Sequence, residues 1–277
     1  MDRTLLPATA TTATRTTRAP ARAELTSHLR AAARIAGLVA ISLAAGAAGL
    51  ALRTLAAIAP AQARSGERIL TRAWARAAAH LVGMRVRVHG TPPSAPGLLV
   101  ANHLGYVDVI ALWTAASGVF VAKSEVGSWP LVGGLGRIFH TVFLDRRRKR
   151  DLVRVLAEMD RTLASGRSVV FFAEGTSSRG ERVLPFKSSL FEAAVRAGLP
   201  VSCAALSYRT RAGDPSADLA VCWWGEMTFP GHVYALLRLR GFEADLRFGP
   251  GPLFADDRKE LARRAHDAVL RARSGIP

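Results

Sequence analysis

Residues 97–116 read Gly-Leu-Leu-Val-Ala-Asn-His-Leu-Gly-Tyr-Val-Asp-Val-Ile-Ala-Leu-Trp-Thr-Ala-Ala, and this stretch decides the fold. Four apolar residues at 98–101, introduced by Gly97, have the length of a buried strand, and residues 109–116 continue as an apolar helix. Between them Asn102-His103-Leu104-Gly105-Tyr106-Val107-Asp108 must turn the chain, and Gly105 makes such a turn easy. A strand that runs through a short polar turn straight into a helix is the first half of a βαβ unit.

The same rhythm runs outward from it. Short apolar runs at 85–89, 119–122, 141–144, 169–173 and 201–207 alternate with helical patterns at 149–165 and 188–197. Gly118, Gly166 and Gly198 each stand before a strand, where helix-ending or turn glycines belong. Beyond Arg211 the pattern predicts strands at 219–223 and 242–248 and a closing amphipathic helix at 256–272. The predicted fold class is α/β: a mixed, mostly parallel sheet flanked by helices.

The amino-terminal part has a different texture. Residues 1–29 are rich in Thr, Ala, Arg and Pro without apolar periodicity, and they are expected to be a disordered basic arm. Residues 35–52 carry no charge, which at about 1.5 Å per residue nearly crosses a hydrocarbon layer of about 30 Å. Because Ala and Gly make up more than half of that stretch, it reads equally as a buried core helix, a weak membrane span or one arm of a hairpin dipping into one leaflet. Arg64, Arg68, Arg72 and Arg76 follow at four-residue spacing on a second helix ending near Leu81, a basic stripe suited to an anionic membrane surface. Residues 30–84 are therefore expected to form a pair of membrane-associated helices, and residues 85–277 a single α/β domain.

Composition narrows the function classes. With 49% apolar residues in 277, the chain can bury a sizeable core. Its net charge of +17 is carried almost wholly by Arg and points to anionic partners. Cys203 and Cys222 are too few for a disulfide framework and too far apart for a metal knuckle, so both read as reduced structural thiols.

Three constellations carry candidate chemistry, and all three follow strands, at whose carboxyl ends open α/β sheets bind ligands. His103 and Asp108 can meet only if the intervening residues turn. Asp108 would then sit at a helix start, hold one imidazole nitrogen and leave the other as a base. Taken alone, this spacing is read more simply as an ordinary helix cap and a loop histidine. The second constellation, Phe171-Phe172-Ala173-Glu174-Gly175-Thr176-Ser177-Ser178-Arg179-Gly180, offers backbone N–H groups, hydroxyls and a carboxylate that can accept from a substrate hydroxyl or hold an Arg. The third, Thr141-Val142-Phe143-Leu144-Asp145-Arg146, ends in an arginine able to bind phosphate bidentately.

In this order and spacing the blocks resemble the glycerolipid (lysophospholipid) acyltransferase family: Asn-His-x4-Asp at 102–108, the strand ending in Arg146, Phe-x-Glu-Gly-Thr at 172–176 and the Gly-x-Pro strand from Gly198. The resemblance covers about residues 85 to 210. It implies transfer of a fatty acyl group from acyl-carrier protein or acyl-CoA to a free hydroxyl of a lysolipid, most simply 1-acylglycerol-3-phosphate. His103 would be the general base and Asp108 its orienting partner, while Arg146, Glu174, Gly175 and Thr176 would bind the acceptor. The resemblance implies no cofactor, metal or covalent acyl-enzyme, and a place on the cytoplasmic face of the inner membrane, where acyl donors are available. Ala173 and Cys203 stand where the family often has Pro. Phe-Ala-Glu-Gly-Thr-Ser followed by Val183-Leu184-Pro185-Phe186-Lys187 also looks like the branch that acylates lyso-ornithine lipid, an acceptor with no phosphate for Arg146.

Other classes fit less well. A membrane-anchored nucleic-acid-binding protein would use the positive charge, but ten of the seventeen net charges fall in residues 1–90 and no nucleic-acid motif accompanies them. Gly-x-Ser-x-Gly is absent, and His80, His89 and His140 stand at no metal spacing with His103. Gly133-Gly134-Leu135-Gly136 lacks the third glycine of a dinucleotide fingerprint and is expected to be a flexible loop, with Trp129, Trp223 and Trp224 as core aromatics.

Overall fold

The computed structural model describes residues 21–129 and 131–275. Seven strands form one sheet: β1 (Met84–His89), β2 (Leu98–Ala101), β3 (Val119–Lys123), β4 (Val142–Leu144), β5 (Val169–Phe172), β6 (Val201–Thr210) and β7 (Phe242–Phe248). Their order is β1-β7-β6-β2-β5-β3-β4, and every neighbouring pair is parallel except β6 with β7. β2 lies between β5 and β6, with Leu98 opposite both Val169 and Val201. The chain leaving β2 and the chain leaving β5 therefore emerge side by side at one end of the sheet.

Nine helices are described: α1 (Ala21–Ala56), α2 (Pro60–Val82), α3 (Val107–Ala115), α4 (Val132–Ile138), α5 (Lys149–Ala164), α6 (Glu192–Ala197), α7 (Ala217–Ala220), α8 (Phe229–Arg238) and α9 (Arg258–Ser274). Successive strand residues point to opposite faces, and this alternation divides the core. Leu99 and Ala101 join Val107, Ala111 and Leu112 of α3, Ala79 of α2 and Leu236 of α8. Leu98 and Val100 join Met159 of α5, Ala193 of α6 and Leu261, Ala265 and Val269 of α9.

α1 packs along α2 and is pinned to the domain at two places. Arg34 donates to the carbonyls of Leu237 and Leu239 as α8 ends, a favourable position for a cation. Gly46 and Gly49 let Ile138 of α4 approach closely. Only 17% of the apolar window of α1 is buried, which removes the core-helix reading: the helix is long and apolar enough to cross a membrane and exposes Val39, Leu43 and Leu50.

Several local expectations change. α1 begins at Ala21, inside the stretch expected to be a disordered arm over 1–29, and residues 1–20 of that arm lie outside the described residues. The glycine run is not a loop. It forms α4, where Gly133 backs onto Gly127 so tightly that a Cβ would stand 2.2 Å from the Gly127 carbonyl oxygen. The expected strand at 219–223 is instead the end of α7 and a turn, because the Trp223 and Trp224 indoles donate to the carbonyls of Met227 and Asp218 and hold the chain folded back. α8 has no counterpart in the sequence reading.

Candidate active site

The site grows from the end of β2. Asn102, buried, extends the ladder with its side chain: its amide donates to the Leu206 carbonyl at 3.0 Å and its oxygen accepts from the Leu206 N–H at 2.7 Å. The chain then turns. Gly105 backs onto Trp223, where a Cβ would stand 3.0 Å from the backbone nitrogen, and the Trp223 N–H donates to the Leu104 carbonyl at 2.8 Å.

Asp108 sits in the first turn of α3 and its carboxylate reaches back into the loop. Oδ2 accepts from the N–H groups of Leu104 at 2.7 Å and Gly105 at 3.0 Å, and from Nδ1 of His103 at 2.7 Å. Oδ1 accepts from the Tyr208 hydroxyl at 2.6 Å. Four donors compensate a carboxylate with no exposed surface, which would otherwise be costly to bury. With Nδ1 donating, Nε2 of His103 keeps its lone pair, and the side chain is 22% exposed, so this nitrogen is open to a substrate. The turn required for His103 and Asp108 to meet is present.

The second loop braces the first. Phe172, the last residue of β5, stacks on the imidazole with centroids 4.0 Å apart and planes 6° from parallel. Glu174 is buried; Oε1 accepts from the His103 N–H at 2.8 Å and Oε2 from the Leu184 N–H at 3.0 Å. Burial raises its carboxyl above the usual value although both amides pull it down. The Ser178 N–H donates to the His103 carbonyl at 3.0 Å, and Gly175 makes the turn at φ +77°.

This geometry separates the expected binding set. Both oxygens of Glu174 accept from main-chain N–H groups, so the carboxylate frames the histidine loop. Thr176 is exposed at the loop surface. Arg146 lies beyond β4, three strands from β2 and thus about 14 Å across the sheet at about 4.8 Å per strand. It is exposed, yet protein atoms crowd its guanidinium enough to lower its pKa, while Glu125 opposes that shift.

Tyr208 was not singled out in the sequence, and Phe172 was read there only as part of the Glu174 block, not as a partner of His103. The alternation Ala204, Leu206, Tyr208 along β6 is the signal that carries the strand past residue 207 and aims Tyr208 at Asp108. Trp129 and Trp223 are half-buried and form an aromatic cluster with Phe229 and Tyr106 beside the histidine loop, outside the deep core. Cys203 and Cys222 are free, buried thiols, and burial pushes both up to about 12, which leaves them unreactive.

A buried carboxylate, an oriented imidazole with one open nitrogen and a sheet-end loop form a proton-transfer centre of the kind acyl transfer needs, and comparison with known proteins defines the class. The family model Acyltransferase matches residues 85–207. The chain is 39% identical over 209 residues to the lyso-ornithine lipid O-acyltransferase of Rhizobium meliloti, covering 71% of this chain and 72% of that protein. It is 36% identical over 134 residues to the 1-acyl-sn-glycerol-3-phosphate acyltransferase of Neisseria gonorrhoeae, covering 46% and 52%. Its fold matches the crystal structure of the 1-acyl-sn-glycerophosphate acyltransferase PlsC from Thermotoga maritima with a TM-score of 0.65 over 91% of this chain and 97% of that one, at 21% identity. The chain belongs to the acyltransferase family, and it is an enzyme that moves an acyl group onto a lipid acceptor.

Proposed function

We propose that the protein transfers a fatty acyl group from an acyl thioester, acyl-CoA or acyl-carrier protein, to the free hydroxyl of a lysolipid at the cytoplasmic face of the inner membrane. The observation that carries this reading is the 2.7 Å bond from His103 Nδ1 to Asp108, which leaves the lone pair of Nε2 free on a partly exposed side chain. In the reaction, Nε2 takes the proton of the acceptor hydroxyl as its oxygen attacks the thioester carbonyl. The tetrahedral intermediate collapses, the C–S bond breaks, and the departing thiolate takes the proton back from the imidazolium. Asp108 stabilises that imidazolium, and the Phe172 stack keeps the ring in plane. Nothing becomes covalently attached to the protein.

Both acceptors expected from the sequence have a relative behind them. Lyso-ornithine lipid is placed first, because the shared span and the identity are greater with the Rhizobium meliloti protein and because Arg146 stands apart from His103. 1-Acylglycerol-3-phosphate is the second reading, favoured by the cationic end of β4. Purified, detergent-solubilised protein, given labelled acyl-carrier protein or acyl-CoA, should form product with lyso-ornithine lipid. Product with 1-acylglycerol-3-phosphate alone would select the second reading, and no product with any lysolipid would remove the proposal.

A further inference from the structure

A cavity of about 470 Å³ lies not at His103 but at the opposite end of the strands. It opens between α2 and the segments that lead into β2, β3 and β5, so the length of β2, about 13 Å at about 3.3 Å per residue, separates it from the histidine loop. Its walls carry Arg64, Arg68 and Arg72 from one face of α2, with Arg167 and His140 opposite. The basic stripe thus turns three of its four arginines into a concavity, and Arg76 alone does not line it.

Glu67 is the only carboxylate in the wall, and it is already engaged. It accepts from His140 at 3.1 Å and from Arg167 at 2.5 Å and 3.2 Å. Among the described residues Arg64, Arg68 and Arg72 have no salt bridge: Arg68 reaches only the Ser65 hydroxyl and Arg72 only the Ala115 carbonyl, at 3.3 Å. The Nε of Arg72 is buried and finds no hydrogen-bond partner. A buried donor without an acceptor, beside two further cations that make no salt bridge, is a set of groups suited to receive an anion. Gly49 of α1 and the apolar Leu70 and Ile138 also line the cavity, while Ile58 and Ile69 are exposed nearby on the helical pair. Phosphate oxygens against the arginines and an aliphatic portion against these residues would satisfy both surfaces.

We propose that this cavity is a second binding site, separate from the acyl-transfer centre, for a phosphate-bearing anion. That chemistry can come from the headgroup of an anionic phospholipid or from a free phosphate compound, and the test distinguishes them. Detergent-solubilised full-length protein is titrated calorimetrically with dihexanoylphosphatidylglycerol and, separately, with inorganic pyrophosphate. The short-chain lipid should bind at one site, about tenfold or more weaker in Arg64→Gln/Arg68→Gln and unchanged in Arg76→Gln, with acyl transfer retained by all three proteins. Binding of the lipid alone assigns a headgroup site. Binding of pyrophosphate with the same dependence on Arg64 and Arg68 assigns a site for the phosphate group itself. No binding of either, or binding equally strong in the double variant, overturns the proposal. Should the double variant fail to fold, Arg68→Gln, an exposed position, replaces it and must still weaken binding.

Discussion

Tyr208 donates its hydroxyl to Oδ1 of Asp108 at 2.6 Å, joining two residues that lie 100 apart in the chain. Burial, with Asp108 beside it, pushes the phenol well above its ordinary range, which keeps Tyr208 a donor to the carboxylate at neutral pH. The carboxylate is thereby held from both sides, by His103 and the loop amides on one oxygen and by Tyr208 on the other.

Removing that donor should alter proton transfer without dismantling the site. In Tyr208→Phe the Asp108 oxygen loses one partner, and the carboxylate, less stabilised, attracts the imidazole proton more strongly. We expect kcat to fall about tenfold, the equivalent of a hydrogen bond of about 1–1.5 kcal/mol, and the acid limb of the pH–rate profile to move to higher pH. A fall in kcat with an unmoved profile would make Tyr208 merely a packing residue.

Glu174 separates a framing role from an acceptor-binding one. Glu174→Gln turns one accepting oxygen into an amino group facing a main-chain N–H, so the His103 loop or the Leu184 turn loses its anchor. The expected result is a loss of about 1–3 kcal/mol of stability in thermal unfolding, with lower kcat and unchanged KM for the lysolipid. A raised KM with unchanged kcat would restore Glu174 to the acceptor.

Glu67 ties α2 to His140 and Arg167, and it makes stability depend on pH. Burial would raise its carboxyl, but the hydrogen bonds from His140 and Arg167 hold it down at about 2, against 4.5 for the free group. A carboxyl depressed in the folded state contributes stability above the unfolded value, and that contribution is lost as pH falls from 4.5 toward about 2. The Glu67→Gln variant should therefore unfold more easily at pH 7, by at most about 3 kcal/mol, and the two proteins should converge near pH 2. Equal unfolding free energies at pH 7, measured with denaturant, would show that the network contributes nothing.

What the sequence disclosed follows from which interactions are local. The six predicted runs up to residue 210 all became strands, because a short apolar segment between glycines has few other ways to bury itself, and the His103–Asp108 turn was legible from five residues of spacing. Contacts made across the chain were not. Tyr208 and Phe172 reach the pair only once β6 and β5 are placed on either side of β2. The apolar run ending in Trp223 and Trp224 failed as a strand because two carbonyls far from any periodic signal capture its indoles. α4 was hidden by glycines that its packing on Gly127 demands, since tertiary contact there outweighs helix propensity. α8 carries Pro230 and Gly231 in its first turn, residues that interrupt a periodic pattern yet suit that position.

Nε2 of His103 is the base proposed to take the proton from the lysolipid. Acyl transfer by purified, detergent-solubilised His103→Ala, compared with the wild-type protein under saturating donor and lyso-ornithine lipid, tests it most directly. The expected result is a loss of about 10³-fold or more in kcat with unfolding temperature and far-UV circular dichroism preserved. Turnover within about tenfold of wild type in a folded His103→Ala protein would contradict it, because general-base catalysis typically supplies about 10²–10⁴-fold.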